Sequence, residues 1–217
     1  SEKSSEKAKQ FLEKLGIRLH LNTAVRDYDG KEVIMADGQK IRSNLVIWTA
    51  GICGARIPGL PDKCYLPNKR ILVDSYNRVT GFDNIFAIGD LAAMVSEKNP
   101  KGHAQIAPVA IQQASTLASN LKRMLKNKPL AEFRYHDQGA MATIGRNLAV
   151  VDLPFVHFYG TFAWFVWMFV HLMSIVTIRN KILIFFNWFW NYITYDQSLR
   201  LIFETKECQD KFSGREP

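Results

Sequence analysis

Apolar residues first recur along the chain with a helical period. Ala8, Phe11, Leu12 and Leu15 fall on one face, so residues 3–15 are expected to form an amphipathic helix that Gly16 ends. The period then drops to two. Ile17-Arg-Leu-His-Leu alternates as a half-buried strand does, and Thr23-Ala-Val-Arg opens another extended piece. Asp29-Gly30 and Asp37-Gly38 supply hairpin turns on either side of Glu32-Val-Ile-Met-Ala, which predicts a small antiparallel meander. Leu45-Val-Ile-Trp-Thr-Ala-Gly is a continuous apolar run ending in small residues. It predicts a buried parallel strand whose carboxyl end is open to a ligand.

Glycine and proline then punctuate an irregular crossing segment through Gly54, Pro58, Gly59, Pro61 and Pro67. Strand character returns at Ile71-Leu-Val-Asp and at Asn84-Ile-Phe-Ala-Ile-Gly-Asp, the latter followed by the apolar Leu91-Ala-Ala-Met. This second run places the Asp90 carboxylate at a strand's carboxyl end, where α/β folds take their ligands. From Pro108 a helix is expected, because proline suits a first turn and Ala110, Ile111, Ala114, Leu117, Ala118, Leu121 and Leu125 make a helical stripe. Lys122, Arg123, Lys126 and Lys128 at its end complement the helix dipole. Ala142-Thr-Ile-Gly-Arg and a strand-like Leu148-Ala-Val-Val lead into a different kind of sequence.

From Phe155 to Ile178 there is no Asp, Glu, Lys or Arg in 24 residues, and four of the five tryptophans lie between Phe155 and Tyr195. A run of that length permits a transmembrane span over 155–178. The segment after it favours another reading. Ile182 to Tyr195 is an apolar run of 14 residues, too short to span, in which Asn187, Asn191 and Thr194, with Ser198 beyond, recur as a polar stripe. Two helices lying in the membrane interface are therefore expected. Arg179, Lys181, Arg200 and Lys206 would face anionic lipid, and the polar tail after Lys206 is expected to fray.

Composition adds a few exclusions. The chain has 217 residues, 47% hydrophobic and 22% charged, which excludes a disordered or collagen-like protein and allows one large or two small domains. The net charge of +8 is assigned to a membrane surface rather than to nucleic acid, because basic residues bracket the aromatic tail. Cys53, Cys64 and Cys208 build neither a disulfide framework nor a metal site, and no metal is expected. Ser1 to Phe11 has no apolar stretch of the kind a secretory signal needs.

Four segments together resemble type II NADH dehydrogenase, the single-subunit NADH:quinone oxidoreductase among the two-dinucleotide-domain flavoproteins. They are Val46-Ile-Trp-Thr-Ala-Gly-Ile; Val79-Thr-Gly-Phe-Asp-Asn-Ile-Phe-Ala-Ile-Gly-Asp; Ala107-Pro-Val-Ala-Ile-Gln-Gln; and Gly139-Ala-Met-Ala-Thr-Ile-Gly-Arg-Asn with Ala163-Trp-Phe-Val-Trp-Met-Phe-Val-His-Leu and Ile178-Arg-Asn-Lys. The first two are common to many flavoprotein reductases, and the last two are narrower. The resemblance is to the carboxyl-terminal half of a family member. It implies an α/β fold, part of a Rossmann-like two-dinucleotide-binding-domain flavoprotein, followed by an α-helical membrane-associating region. Residues 1–50 would complete an NADH-binding domain, 51–147 would close an FAD-binding domain, and 148–217 would carry the membrane helices and tail. The chain contains neither of the family's two GxGxxG loops, so by itself it is expected to bind NADH poorly and to complete no catalytic cycle.

The same resemblance implies roles for particular residues. Asp90, with Gly89, looks like the anchor of the flavin ribitol, a task that suits a carboxylate accepting hydroxyl hydrogen bonds. Ala107, Pro108 and Val109 would present a helix N-terminus to the flavin ring, where unpaired N–H groups stabilise negative charge. The family's AQxAxQ motif has Pro108 in place of its first Gln, while Gln112 keeps the second. Gln112, with Gln113, would lie on the quinone side. Gln105 with Ala104 and Ala107 mimics the motif out of register. Thr49, Ala50 and Gly51 resemble the turn lying against NADH, small residues permitting close approach. Gln138 stands where many relatives have Lys. The implied activity transfers a hydride from NADH to FAD and then two electrons to a membrane quinone, without proton pumping. The implied setting is a homodimer on the cytoplasmic face of the inner membrane. The alternatives are another membrane-associated flavin reductase of the sulfide:quinone type, for which Cys53 and Cys64 are a weak match, or a non-enzymatic membrane-surface protein.

Overall fold

The computed structural model describes residues 1–194 and divides into two compact units, residues 1–19 with the segment from 140 onward, and residues 20–139. Ser198, Arg200, Lys206, Cys208 and the terminal tail lie outside the described residues.

In the 20–139 unit, β1 (Val25–Tyr28), β2 (Glu32–Met35) and β3 (Lys40–Arg42) form the expected meander, with Val25 opposite Met35 and Val33 opposite Ile41. Asp29 shapes the first turn, its carboxylate accepting from the N–H groups of Lys31 and Glu32 at 2.8 and 2.7 Å. Those two bonds hold its pKa below the usual carboxylate value. β4 (Ile71–Val73) pairs in parallel with β5 (Ala92–Met94), Leu72 opposite Ala93. Around this pair lies the unit's core of Cys64, Ile71, Val73, Val79, Ala87, Ala92, Met94, Val109 and Phe133. Removing a side chain the size of Ile71 from water is worth about 1.5–3 kcal/mol. Helix α2 (Ala107–Met124) follows.

Three strand expectations in this region need correction. Residues 17–21 and 45–51 form no strand, and Leu45 and Ile47 are 74% and 77% exposed. An apolar run becomes a buried strand only beside a neighbour that takes its backbone hydrogen bonds, and no described strand flanks either segment. Residues 84–88 make only an isolated bridge between Phe86 and Arg78, and the parallel strand comes after the Gly-Asp turn, not before it.

In the other unit, α1 (Glu2–Lys14) ends as expected at Gly16, whose φ is +78°. β6 (Ala140–Thr143), β7 (Ala149–Asp152) and β8 (His157–Gly160) form an antiparallel sheet, with Ala142 opposite Val150 and Val151 opposite Phe158. Helix α3 (Thr161–Ser174) packs on β7, burying Ala163 against Ala149 and Val151. Helix α4 (Ile178–Thr194) meets α3 through stacked rings, Trp164 on Tyr192 at 5.6 Å and Trp167 on Trp188 at 6.0 Å.

The transmembrane alternative over 155–178 is also corrected. The uncharged run is divided between β8 and α3, and 14 helical residues reach about 21 Å, short of the roughly 30 Å hydrocarbon core. Among the described residues, no helix is long and apolar enough to cross a membrane.

Candidate functional site

The site forms where the Gly-Asp turn meets the first turn of α2. Gly89 to Leu91 make a single 3-10 turn between the Phe86 bridge and β5. Gly89 has φ +68°, a left-handed backbone that glycine adopts without steric cost, and a Cβ there would touch that of Ala110 at 3.4 Å. Asp90 is exposed, and its carboxylate accepts no hydrogen bond from any described residue. At the helix end, Ile106 is extended and offers no side-chain cap. Pro108 has no N–H, and Val109 donates to the Ile106 carbonyl at 3.1 Å. The Ala107 N–H is therefore the one first-turn donor left without a partner among the described residues, and Val109 is buried beneath it.

Amide side chains tie this turn and α2 to their surroundings. Gln113 is 1% exposed, and its Oε1 accepts from the Gly89 N–H at 2.7 Å. Gln105 donates from Nε2 to the Asp90 carbonyl at 3.0 Å. Gln112 makes a two-way clamp, donating to the His136 carbonyl and accepting from the His136 N–H, both at 3.0 Å. Asn120 repeats that clamp on Ala131, at 2.8 and 2.9 Å. The inner face of α2 is thus Val109, Gln113 and Asn120, while Ile111 of the apolar stripe is 64% exposed. Arg70 is buried behind the turn and donates to the carbonyls of Ala92, Lys101 and His103. Burial lowers the Arg70 pKa, and the nearby Asp90 charge opposes the shift. Burial, then the Arg70 charge, lowers that of His103, whose ring lies edge-on to Phe133 at 5.4 Å. Burial and the Asp137 charge raise that of Tyr135.

The sequence-predicted residues therefore separate into groups. Gly89, Asp90, Ala107, Pro108 and Val109 are brought together. Gln112 and Gln113 sit on the next turn of the same helix with their amides already engaged. Thr49, Ala50 and Gly51 lie in an exposed irregular segment, Gly51 donating to the Thr49 carbonyl at 3.2 Å. Arg70 and Asn120 were missed, and Gln105 was noted only as an out-of-register mimic of the motif, without its bond to the Asp90 carbonyl. For Asn120 a signal exists, since Val109, Gln113 and Asn120 recur at spacings of four and seven, the mark of one helix face. Cys53 is exposed, and the buried Cys64 thiol donates to the Thr80 carbonyl. Among the described residues, no cluster of His, Cys, Asp and Glu is suited to a metal.

Comparison with known proteins decides the family. Residues 1–114 match the family described as pyridine nucleotide-disulphide oxidoreductase. The chain belongs to that family. Residues 137–194 match the NDH2 C-terminal domain. The type II NADH:quinone oxidoreductase of Mycobacterium tuberculosis is 30% identical over 86% of this chain and 41% of its own length. The internal alternative NAD(P)H-ubiquinone oxidoreductase A1 of Arabidopsis thaliana mitochondria is 27% identical over 84% of this chain and 39% of its own. The chain thus spans about two fifths of the curated relatives it matches. In fold it is similar to the NDH2 of Plasmodium falciparum solved with NADH, with a TM-score of 0.77, 18% identity and coverage of 92% of this chain and 56% of that one. The sulfide:quinone oxidoreductase of Aquifex aeolicus shares the fold with a TM-score of 0.60 and 18% identity, over 91% of this chain and 51% of that one.

Proposed function

We propose that this chain is the carboxyl-terminal part of a non-proton-pumping NADH:quinone oxidoreductase that uses FAD and NAD(H). One observation carries the proposal: an exposed Asp90 carboxylate that accepts no hydrogen bond from any described residue, in a Gly89 turn packed against α2, whose Ala107 N–H has no partner among the described residues. These residues fit a flavin, since a free carboxylate suits ribitol hydroxyls and a helix N-terminus suits an electron-rich ring. When bound, the flavin supplies the two-electron relay between NADH and quinone. Asp90 accepts from sugar hydroxyls and Gly89 permits the close approach. Ala107 donates its N–H, Pro108 fixes the backbone of the first turn, and Val109 seats that turn on the core. Thr49, Ala50 and Gly51 offer NADH small side chains that permit close approach. Gln112 lies on the quinone side, with Gln113 beneath it.

The reading assigns residues 1–50 to the NADH side, 51–147 to the FAD side and 148–217 to membrane association. Phe162, Phe169, Phe186 and Trp190 are exposed on α3 and α4, and Arg179 and Lys181 are suited to anionic headgroups, which supports docking on a lipid surface. The reading extends to a homodimer on the cytoplasmic face of the inner membrane. The test is the absorption spectrum of the complete polypeptide carrying this chain. A flavin band bleached by NADH and restored by quinone is expected. A colourless protein, or a flavin band that NADH leaves unchanged, overturns the proposal.

A further inference from the structure

We propose that Gln113 and Gln105 are positioning residues that grip the Gly89–Asp90 turn from its two ends and so set where the Asp90 carboxylate lies. The inference rests on the flavoenzyme reading above. Gln113 accepts from the Gly89 N–H at the start of the turn and Gln105 donates to the Asp90 carbonyl at its end, while the Gly89 carbonyl is taken by the Ala92 N–H. Gln113 stands in the second turn of an 18-residue helix, and side chains on a helix lean toward its N-terminus, so its amide reaches back under the turn. Its full burial shields the acceptor side of the bond to Gly89 from water, and losing the acceptor leaves a half-buried N–H without its partner. Gln105 belongs to the segment entering α2, and Arg70 braces both sides of it by donating to the carbonyls of Ala92, just after the turn, and His103, just before Gln105. No bond in this set involves the Asp90 carboxylate, which the grip leaves free for a ligand.

This arrangement gives Gln113 a role distinct from touching quinone, and substitution separates the two. In the complete polypeptide carrying this chain, FAD affinity of the apoprotein, the flavin midpoint potential and the thermal unfolding curve are measured together. Gln113→Met keeps the size of the side chain but removes the acceptor, and is expected to weaken FAD binding about tenfold. Gln105→Met, at a half-buried position, is expected to weaken it about threefold. Gln113→Glu keeps an oxygen on the Gly89 N–H when protonated and adds a charge near Asp90 when ionised. Its FAD affinity should therefore fall as pH rises, a dependence that neither the parent nor Gln113→Met shows. FAD affinity and potential unchanged within about twofold in Gln113→Met, with only the quinone KM altered, overturns the inference in favour of a quinone contact. If Gln113→Met does not fold, Gln105→Met and Gln113→Glu carry the test, and parent-like FAD binding in both overturns it. A parent that binds no FAD instead overturns the flavoenzyme reading, so the two failures are distinct.

Discussion

The core around β4 and β5 is made mostly of side chains of modest size, among them Ile71, Val73, Val79, Ala92 and Met94, all buried, with Phe133 the one buried aromatic among its described residues, whereas α3 and α4 carry the larger Phe162, Phe169, Phe186 and Trp190, each more than half exposed. The more apolar region is the more exposed one. Burial in this chain therefore follows the supply of packing partners rather than hydrophobicity, and an aromatic surface left open on two helices is what an interfacial segment requires. The comparison predicts that equivalent truncations do different things in the two regions. Ile71→Ala should destabilise the chain by about 2–5 kcal/mol, read as a lower urea midpoint at unchanged slope. Phe186→Ala removes more apolar surface yet should change stability by no more than about 0.5 kcal/mol, read from the same midpoint. A large loss for Phe186→Ala would mean that α4 is part of a folded core, and the contrast would fail.

The next effect tests whether the inner region depends on polar as well as apolar partners. Asn120→Leu leaves the N–H and carbonyl of Ala131 without their clamp and should cost about 1–3 kcal/mol although it adds apolar volume. Stability unchanged or raised would show that this buried face of α2 tolerates an aliphatic side chain and that the clamp adds little.

The outer region is sharpened by partitioning. Binding of the chain to vesicles containing anionic lipid should fall about fivefold for Phe186→Ala, roughly the transfer energy of a partly inserted ring. The fall should persist at high salt, because the lost contribution is not electrostatic. Unaltered partitioning would place the lipid contact elsewhere.

What the sequence made legible follows the same division. Local signals held: the helical stripe and glycine stop of α1, the Asp-Gly turns of the meander, Pro108 in the first turn of α2, and the strand β7. These depend on residues a few positions apart. Leu45 to Gly51 reads as a buried strand because composition reports what a segment would bury, and pairing depends on a neighbour that the described residues do not supply. The site was legible at Gly89, Asp90 and Pro108, whose chemistry belongs to the residue itself. It was not legible at Arg70, where a surface-type residue is buried and spends its donors on three carbonyls that only tertiary folding brings together. β8 was hidden within an uncharged run that resembles one long helix.

The smallest effect concerns pH and the inner region alone. His103 packs against Phe133 and Tyr135 with the Arg70 guanidinium nearby, and burial followed by that charge lowers its pKa from 6.5. In the unfolded chain the imidazole titrates at its ordinary value, so between the lowered and the ordinary pKa the unfolded state binds more protons than the folded one. The stabilisation associated with neutral His103 is therefore complete above pH 6.5 and is lost as pH falls below it toward the folded pKa. Urea midpoints of the chain should drop between pH 7.5 and pH 5.5, and His103→Gln, which keeps a polar planar group but does not titrate, should reduce that drop. An identical drop in the variant would assign the acid sensitivity to groups other than His103. That outcome would leave the stability of the inner region independent of the charge state of His103.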